Sequence, residues 1–77
     1  MNNNDIFKKL RIAFNMKDID IKETLKLVDF EISKSELNAI FRNKDHRNYK
    51  ICGDQLLRNF LDGIIAREQK SIKEKKS

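Results

Sequence analysis

His46 and Cys52 are the only histidine and the only cysteine in the chain, and they stand close together between two apolar helical patterns. That proximity raises two chemistries: a thiolate nucleophile served by an imidazole base, or ligation of a soft metal. Zinc takes about four protein or water ligands, and one His with one Cys supplies too few unless a two-fold dimer pools two of each. Nothing pairs a base with a nucleophile, so no enzyme, cofactor or metal site is expected. Cys52 reads as a small buried apolar side chain just before a helix. A helix start can also lower a thiol pKa, and exposure is the property that decides between the two. The acidic pairs Asp18/Asp20 and Asp29/Glu31 fall at expected helix ends, where capping explains them better than acid-base catalysis.

A second chemistry is recognition. Tyr49 is the only tyrosine, and Arg42, Lys44, Arg47 and Lys50 surround it against the single acid Asp45. An aromatic ring among cations can stack on a base while the charges meet phosphate, although a lone Tyr between helices more often buries its ring. Residues 21–42 also have the outline of a helix-turn-helix with a tight connection through Phe30-Glu31-Ile32-Ser33. The second helix of that unit would present Lys34, Ser35, Asn38 and Arg42, of which Asn38 and Arg42 can read base edges and Glu36 would repel phosphate. The surface expected to meet a macromolecular partner therefore comprises Lys34, Asn38, Arg42, Lys44, His46, Arg47, Tyr49 and Lys50.

The overall charge adds little to this. Of the formal +5, residues 66–77 hold five Lys/Arg against two Glu, and the body holds twelve against ten. Most of the excess thus belongs to the tail, a solvated end in most proteins. Seventy-seven residues make a single small domain with little room for an enclosed active site. Absence of proline, only two glycines and a wealth of Leu, Ile, Lys, Glu and Asn at helical spacing predict an all-α fold. A lone cysteine, no signal-like segment after Met1 and no apolar run long enough for a bilayer lead to the expectation of a cytoplasmic protein without membrane contact.

The elements that must position these residues follow from periodicity. The pattern predicts a compact bundle of four to five short helices, about 5–15, 19–28, 34–42 and 54–67. Asn4 is expected to cap the first helix, which buries Ile6, Leu10, Ala13 and Phe14 with Phe7 beside them, and Asn15 provides a left-handed turn. The second helix buries Ile21, Leu25 and Val28. Ser33 and Glu36 form an S-x-x-E capping box for the third, which buries Leu37, Ile40 and Phe41. Leu56, Leu57, Phe60, Leu61, Ile64 and Ile65 give the fourth two adjacent apolar rows, the pattern of a central helix touching more than one partner. Gly63 inside it implies either a close backbone approach or a fraying end. Residues 1–67 are thus the domain, and 68–77 read as a basic, disordered tail.

With these motifs in place, the chain resembles the YehS-like family of small bacterial proteins, usually described as a domain of unknown function. The resemblance runs over about residues 3–66, through NND, LRIAF and KLVDFEISKSELNAIFRNKDHRNYKICGDQLLRNFLDGII. It implies an all-helical cytoplasmic domain and brings no catalytic residue, cofactor or substrate. Two departures stand out. Many members carry Ser at the position of Gly53 and Pro near Arg47, and members often carry two copies of the domain where this chain has one. A single copy implies a homodimer that reproduces the pair. The expected function is a non-catalytic, homodimeric helical interaction module that binds a macromolecular partner; the alternative is nucleic-acid binding through 21–42 and the basic 42–50 connection.

Overall fold

The computed structural model describes the backbone of residues 1–76 and the side chains of residues 1–70. Among these the protein is all-α, with four helices: α1 Asn3–Ala13, α2 Asp18–Lys26, α3 Lys34–Phe41 and α4 Asp54–Lys76. No helix of the described residues is long and apolar enough to cross a membrane.

Local sequence explains where each helix begins and ends. The cap of α1 is Asn2 rather than the expected Asn4. Its side chain accepts from the Asp5 N–H at 2.9 Å, and Asp5 accepts in return from the Asn2 N–H. At the start of α2, the Asp20 carboxylate accepts from the Lys17 N–H at 2.8 Å. Ser33 caps α3 by accepting from the Glu36 N–H at 3.1 Å. Only this half of the expected capping box forms, because the Glu36 carboxylate reaches Lys50 Nζ at 3.2 Å instead.

Two helix ends share one device. Asn15 (φ 50°) and Asp29 (φ 57°) adopt left-handed backbone, as the turn at Asn15 was expected to do. In each case the next residue donates back across the turn, Met16 to the Arg11 carbonyl and Phe30 to the Leu25 carbonyl. This is the Schellman arrangement, in which short polar side chains tolerate a conformation that glycine usually takes. It also throws the following apolar residue inward: Met16 is buried and Phe30 is half-buried against the core. Because α2 ends at Lys26, the link to α3 runs from Leu27 to Ser33 and is longer than the tight turn predicted.

The core is Phe7, Ile21, Leu25, Leu37, Ile40, Cys52 and Phe60, closed by Met16, Ile32 and Ile64. Phe7 lies at its middle, stacked on Phe60 with ring centroids 4.5 Å apart and edge-on to Phe41 at 5.2 Å. Arg11 extends the stack, with its guanidinium 4.7 Å from the Phe41 ring centre, and it also bonds the Met16 carbonyl and pairs with Asp18 at 3.4 Å. The α1 register therefore differs from the one predicted. Asn4 and Phe7 face inward, whereas Ala13 and Phe14 are exposed.

Helix α4 packs against α2 and α1, and α3 packs against α1. Of the two apolar rows on α4, Phe60 and Ile64 are buried, while Leu61 and Ile65 are open to solvent at 40% and 54%. Gly63 marks the seam with α2. A Cβ there would lie 2.5 Å from the Thr24 carbonyl oxygen and 3.0 Å from the Thr24 methyl, so close backbone approach is the reason for the glycine. The fourth helix also continues to Lys76 rather than ending near residue 67. The expectation of a disordered tail over 68–77 falls mainly on side chains outside the described residues.

Candidate functional site

The eight residues predicted to form a recognition surface divide between α3 and the connection that follows it. Lys34 and Asn38 are exposed on α3, and Arg42, Lys44, His46, Arg47 and Lys50 are exposed at its end and beyond, with Tyr49 half-buried. In the helix-turn-helix outline the two helices have different main packing partners: α2 lies on α4 and α3 on α1.

The connection 42–53 is ordered by hydrogen bonds rather than by apolar contact. Asn43 accepts from the Asp45 N–H through its side chain and from the His46 N–H through its carbonyl. His46 repeats the pattern, with Nδ1 accepting from the Asn48 N–H at 3.1 Å and its carbonyl accepting from the Tyr49 N–H at 3.0 Å. Two successive turns result, each stitched by a side chain. Acting as an acceptor inside a turn, His46 Nδ1 has a structural job. Among the described residues no three His, Cys, Asp or Glu side chains gather where a metal could sit.

After the turns the chain runs without helix or turn from Lys50 to Gly53 and is gripped by the first turn of α1. Asn4 is buried, and its amide makes three bonds: Nδ2 donates to the Ile40 carbonyl at 3.1 Å and the Lys50 carbonyl at 2.9 Å, while Oδ1 accepts from the Cys52 N–H at 2.8 Å. Asn3 adds bonds from its Nδ2 to the Cys52 carbonyl at 3.2 Å and to Asp54 Oδ1 at 2.6 Å. On the other side, the Lys50 N–H donates to the Ala39 carbonyl at 3.0 Å. The run Asn2-Asn3-Asn4 therefore divides its labour, one residue capping α1 and two clamping the connection.

Cys52 is buried at 1% exposure, which decides its chemistry. Burial first, and the nearby Asp54 carboxylate second, push its thiol up from 9.0 to about 11. A thiol so raised is almost wholly protonated at neutral pH and is a poor nucleophile. It acts as the small apolar residue the sequence suggested.

Between the α1 start and the connection lies a shallow groove lined by Asn2, Asn3, Asn4, Lys44, His46, Tyr49, Ile51 and Cys52. A second depression on the far side of Tyr49 involves Ser35, Glu36, Ala39, Arg42, Asn48 and Lys50, making Tyr49 the ridge between them. Ile51 was not among the predicted residues, yet it is 78% exposed beside that ridge. Asn3 and Asn4 were not predicted either, although a run of three asparagines exceeds what one cap needs, and Asn4 sits one helical step from Phe7 on the inward face.

Fold and site together define a small all-α domain whose distinguishing feature is an asparagine-clamped polar connection. The chain belongs to the family described as "Protein of unknown function (DUF1456)", which matches residues 3–69. It is similar to the uncharacterized protein YehS of Escherichia coli (strain K12), at 48% identity over 68 residues. That similarity covers 88% of this chain and 44% of YehS, so the chain spans less than half the length of that relative. The YehS-like resemblance expected from the motifs is thus established. No solved structure matches the chain.

Proposed function

We propose that the protein is a non-catalytic helical interaction module that binds a macromolecular partner through the clamped connection around Tyr49. The carrying observation is the Asn4 amide, which is buried and fully bonded in order to hold an otherwise exposed polar segment. A loop fixed in this way presents Lys44, Arg47, Tyr49 and Ile51 with little conformational entropy left to lose on binding. The expected homodimer belongs to this reading as well. Leu61 and Ile65 form an exposed apolar pair on α4, the kind of surface a second copy would cover around a two-fold axis.

Nucleic acid is the second reading, favoured by the exposed Lys44 and Arg47 beside Tyr49. Separate packing partners for α2 and α3, and neutralisation of Lys50 by Glu36, weigh against it. A photocrosslinking residue in place of Tyr49, irradiated in native lysate with and without nuclease, separates the two. The proposal expects a crosslinked protein that survives nuclease treatment. Loss of the adduct on nuclease treatment would transfer the surface to nucleic acid, and no adduct would remove it from recognition. Light scattering on the purified chain tests the pairing: a dimer that Leu61→Glu and Ile65→Glu dissolve is expected, and a monomer at high micromolar concentration contradicts it.

A further inference from the structure

The segment Lys50–Gly53 has two edges, and only one of them is occupied. Lys50 turns both its main-chain groups toward the body, the N–H to the Ala39 carbonyl and the carbonyl to Asn4 Nδ2. Cys52 does the same, its N–H going to Asn4 Oδ1 and its carbonyl to Asn3 Nδ2. The Asn4 amide thereby bonds the carbonyl of one residue and the N–H of the residue two further on, which is how a single residue of a parallel neighbouring strand bonds. That spacing is the alternation of an extended backbone, in which the groups of the intervening Ile51 point the opposite way. Among the described residues neither the Ile51 N–H nor its carbonyl has a hydrogen-bond partner, and the Gly53 N–H has none either. Ile51, at 78%, and Gly53 are both exposed, so solvent reaches this edge.

We propose that this outer edge, Ile51 to Gly53, accepts an extended peptide segment of a partner protein as an added strand, and that the segment is one in which apolar side chains alternate with carboxylates. The inference rests on the proposed role of the connection as a recognition surface and specifies its mode. Unpaired main-chain donors and acceptors supply the affinity in strand addition, and side chains on alternate sides supply the selectivity. Ile51 and the Tyr49 ring offer an apolar contact at this edge. Charge fixes the preference for an acidic segment: Arg42, Lys44 and Arg47 are exposed with no ion-pair partner among the described residues. Glu36 is paired with Lys50 at 3.2 Å, and Asp45 and Asp54 are the remaining acids of this stretch, outnumbered by these three cations.

The test uses the full chain and fluorescent peptides of alternating Glu and Val, in three forms: unmodified, N-methylated at alternate amides in either register, and with Lys in place of Glu. The unmodified acidic peptide is expected to bind, and N-methylation in one register to weaken it by about tenfold, the order of one lost hydrogen bond. The Lys peptide should not bind. Ile51→Asp should weaken binding by a similar factor with the melting temperature unchanged, because that side chain lies outside the fold. In the free protein the Ile51 amide should exchange with solvent much faster than the Lys50 and Cys52 amides, and peptide should slow it. Absence of binding, binding indifferent to N-methylation in both registers, or displacement of the peptide by a poly-dT oligonucleotide with no effect of N-methylation would each overturn the inference. A nuclease-resistant Tyr49 crosslink with no peptide binding would leave the interaction role standing and remove only the strand-addition mode.

Discussion

The α2–α4 seam and the 42–53 connection are held by opposite means. At the seam, removal of a side chain at Gly63 lets the helix backbones meet at Thr24, and Phe60 and Ile64 fill the space beside it. In the connection, Cys52 is the only buried apolar side chain, and the segment is positioned by side-chain amide bonds from Asn3 and Asn4, three to the connection itself and one to each flank at Ile40 and Asp54. Close packing fails gradually when a contact loosens, whereas a buried amide deprived of its partners leaves several main-chain groups unsatisfied at once. The contrast locates rigidity that serves the fold in the seam, and rigidity that serves presentation in the clamp.

The largest expected effect tests the seam. Gly63→Ala should destabilise the protein by roughly 3 kcal/mol, the upper range for overpacking, since its Cβ meets a main-chain oxygen that cannot swing aside. Chemical denaturation measures it, and Thr24→Ser should fail to rescue because it removes the methyl and keeps the carbonyl. Asn4→Ala comes next, at about 2–3 kcal/mol, from orphaning the Ile40 and Lys50 carbonyls and the Cys52 N–H. Its signature should differ from that of the seam, with NMR shift changes concentrated in residues 42–54.

A pH experiment sharpens the comparison from the buried thiol. The folded-state value for Cys52 is raised from 9.0 to about 11, so the folded form holds its proton more tightly. Stability from this source is complete below pH 9 and is lost as pH rises toward 11, by about 2 kcal/mol. Denaturation midpoints of the native chain and of Cys52→Ala should therefore converge over that interval, and parallel curves would contradict the assignment. The smallest effect contrasts the two glycines. Gly53 precedes α4 with open space around it, so Gly53→Ser should stabilise by about a few tenths of a kcal/mol through better capping, where substitution at Gly63 is costly.

Much of the seam was legible in the sequence and little of the clamp was. Ile21, Leu25, Leu37, Ile40, Phe60 and Ile64 announce their burial through helical spacing, whereas Gly63 within an apolar row fits a close approach and a fraying end equally until Thr24 is placed against it. Asn15 foretells a left-handed turn because its short polar side chain suits one. The clamp is hidden because asparagine has a local use as a cap and a long-range use as an amide bridge, and periodicity registers only the first. That ambiguity moved the cap from Asn2 to Asn4 and shifted the α1 face, leaving Phe14 expected inside when it is exposed. Ser33 and Glu36 fit a capping box, yet Glu36 is drawn away by Lys50, a partner that only the folded connection supplies. Leu61 and Ile65 show the limit of an apolar pattern, which marks a surface fit for burial without saying what buries it.

Thiol labelling of Cys52 measures most directly whether the Asn4 amide holds the connection in place. With Asn4 intact, labelling at neutral pH should be slow and steeply accelerated by urea, since exposure then requires global unfolding. In Asn4→Ala it should rise by more than about tenfold and become nearly independent of urea at low concentration while the helical circular dichroism persists, the behaviour of a segment opening alone. Equal labelling rates in the two proteins, or a rise that keeps its full urea dependence, would show that the clamp is not what holds the connection.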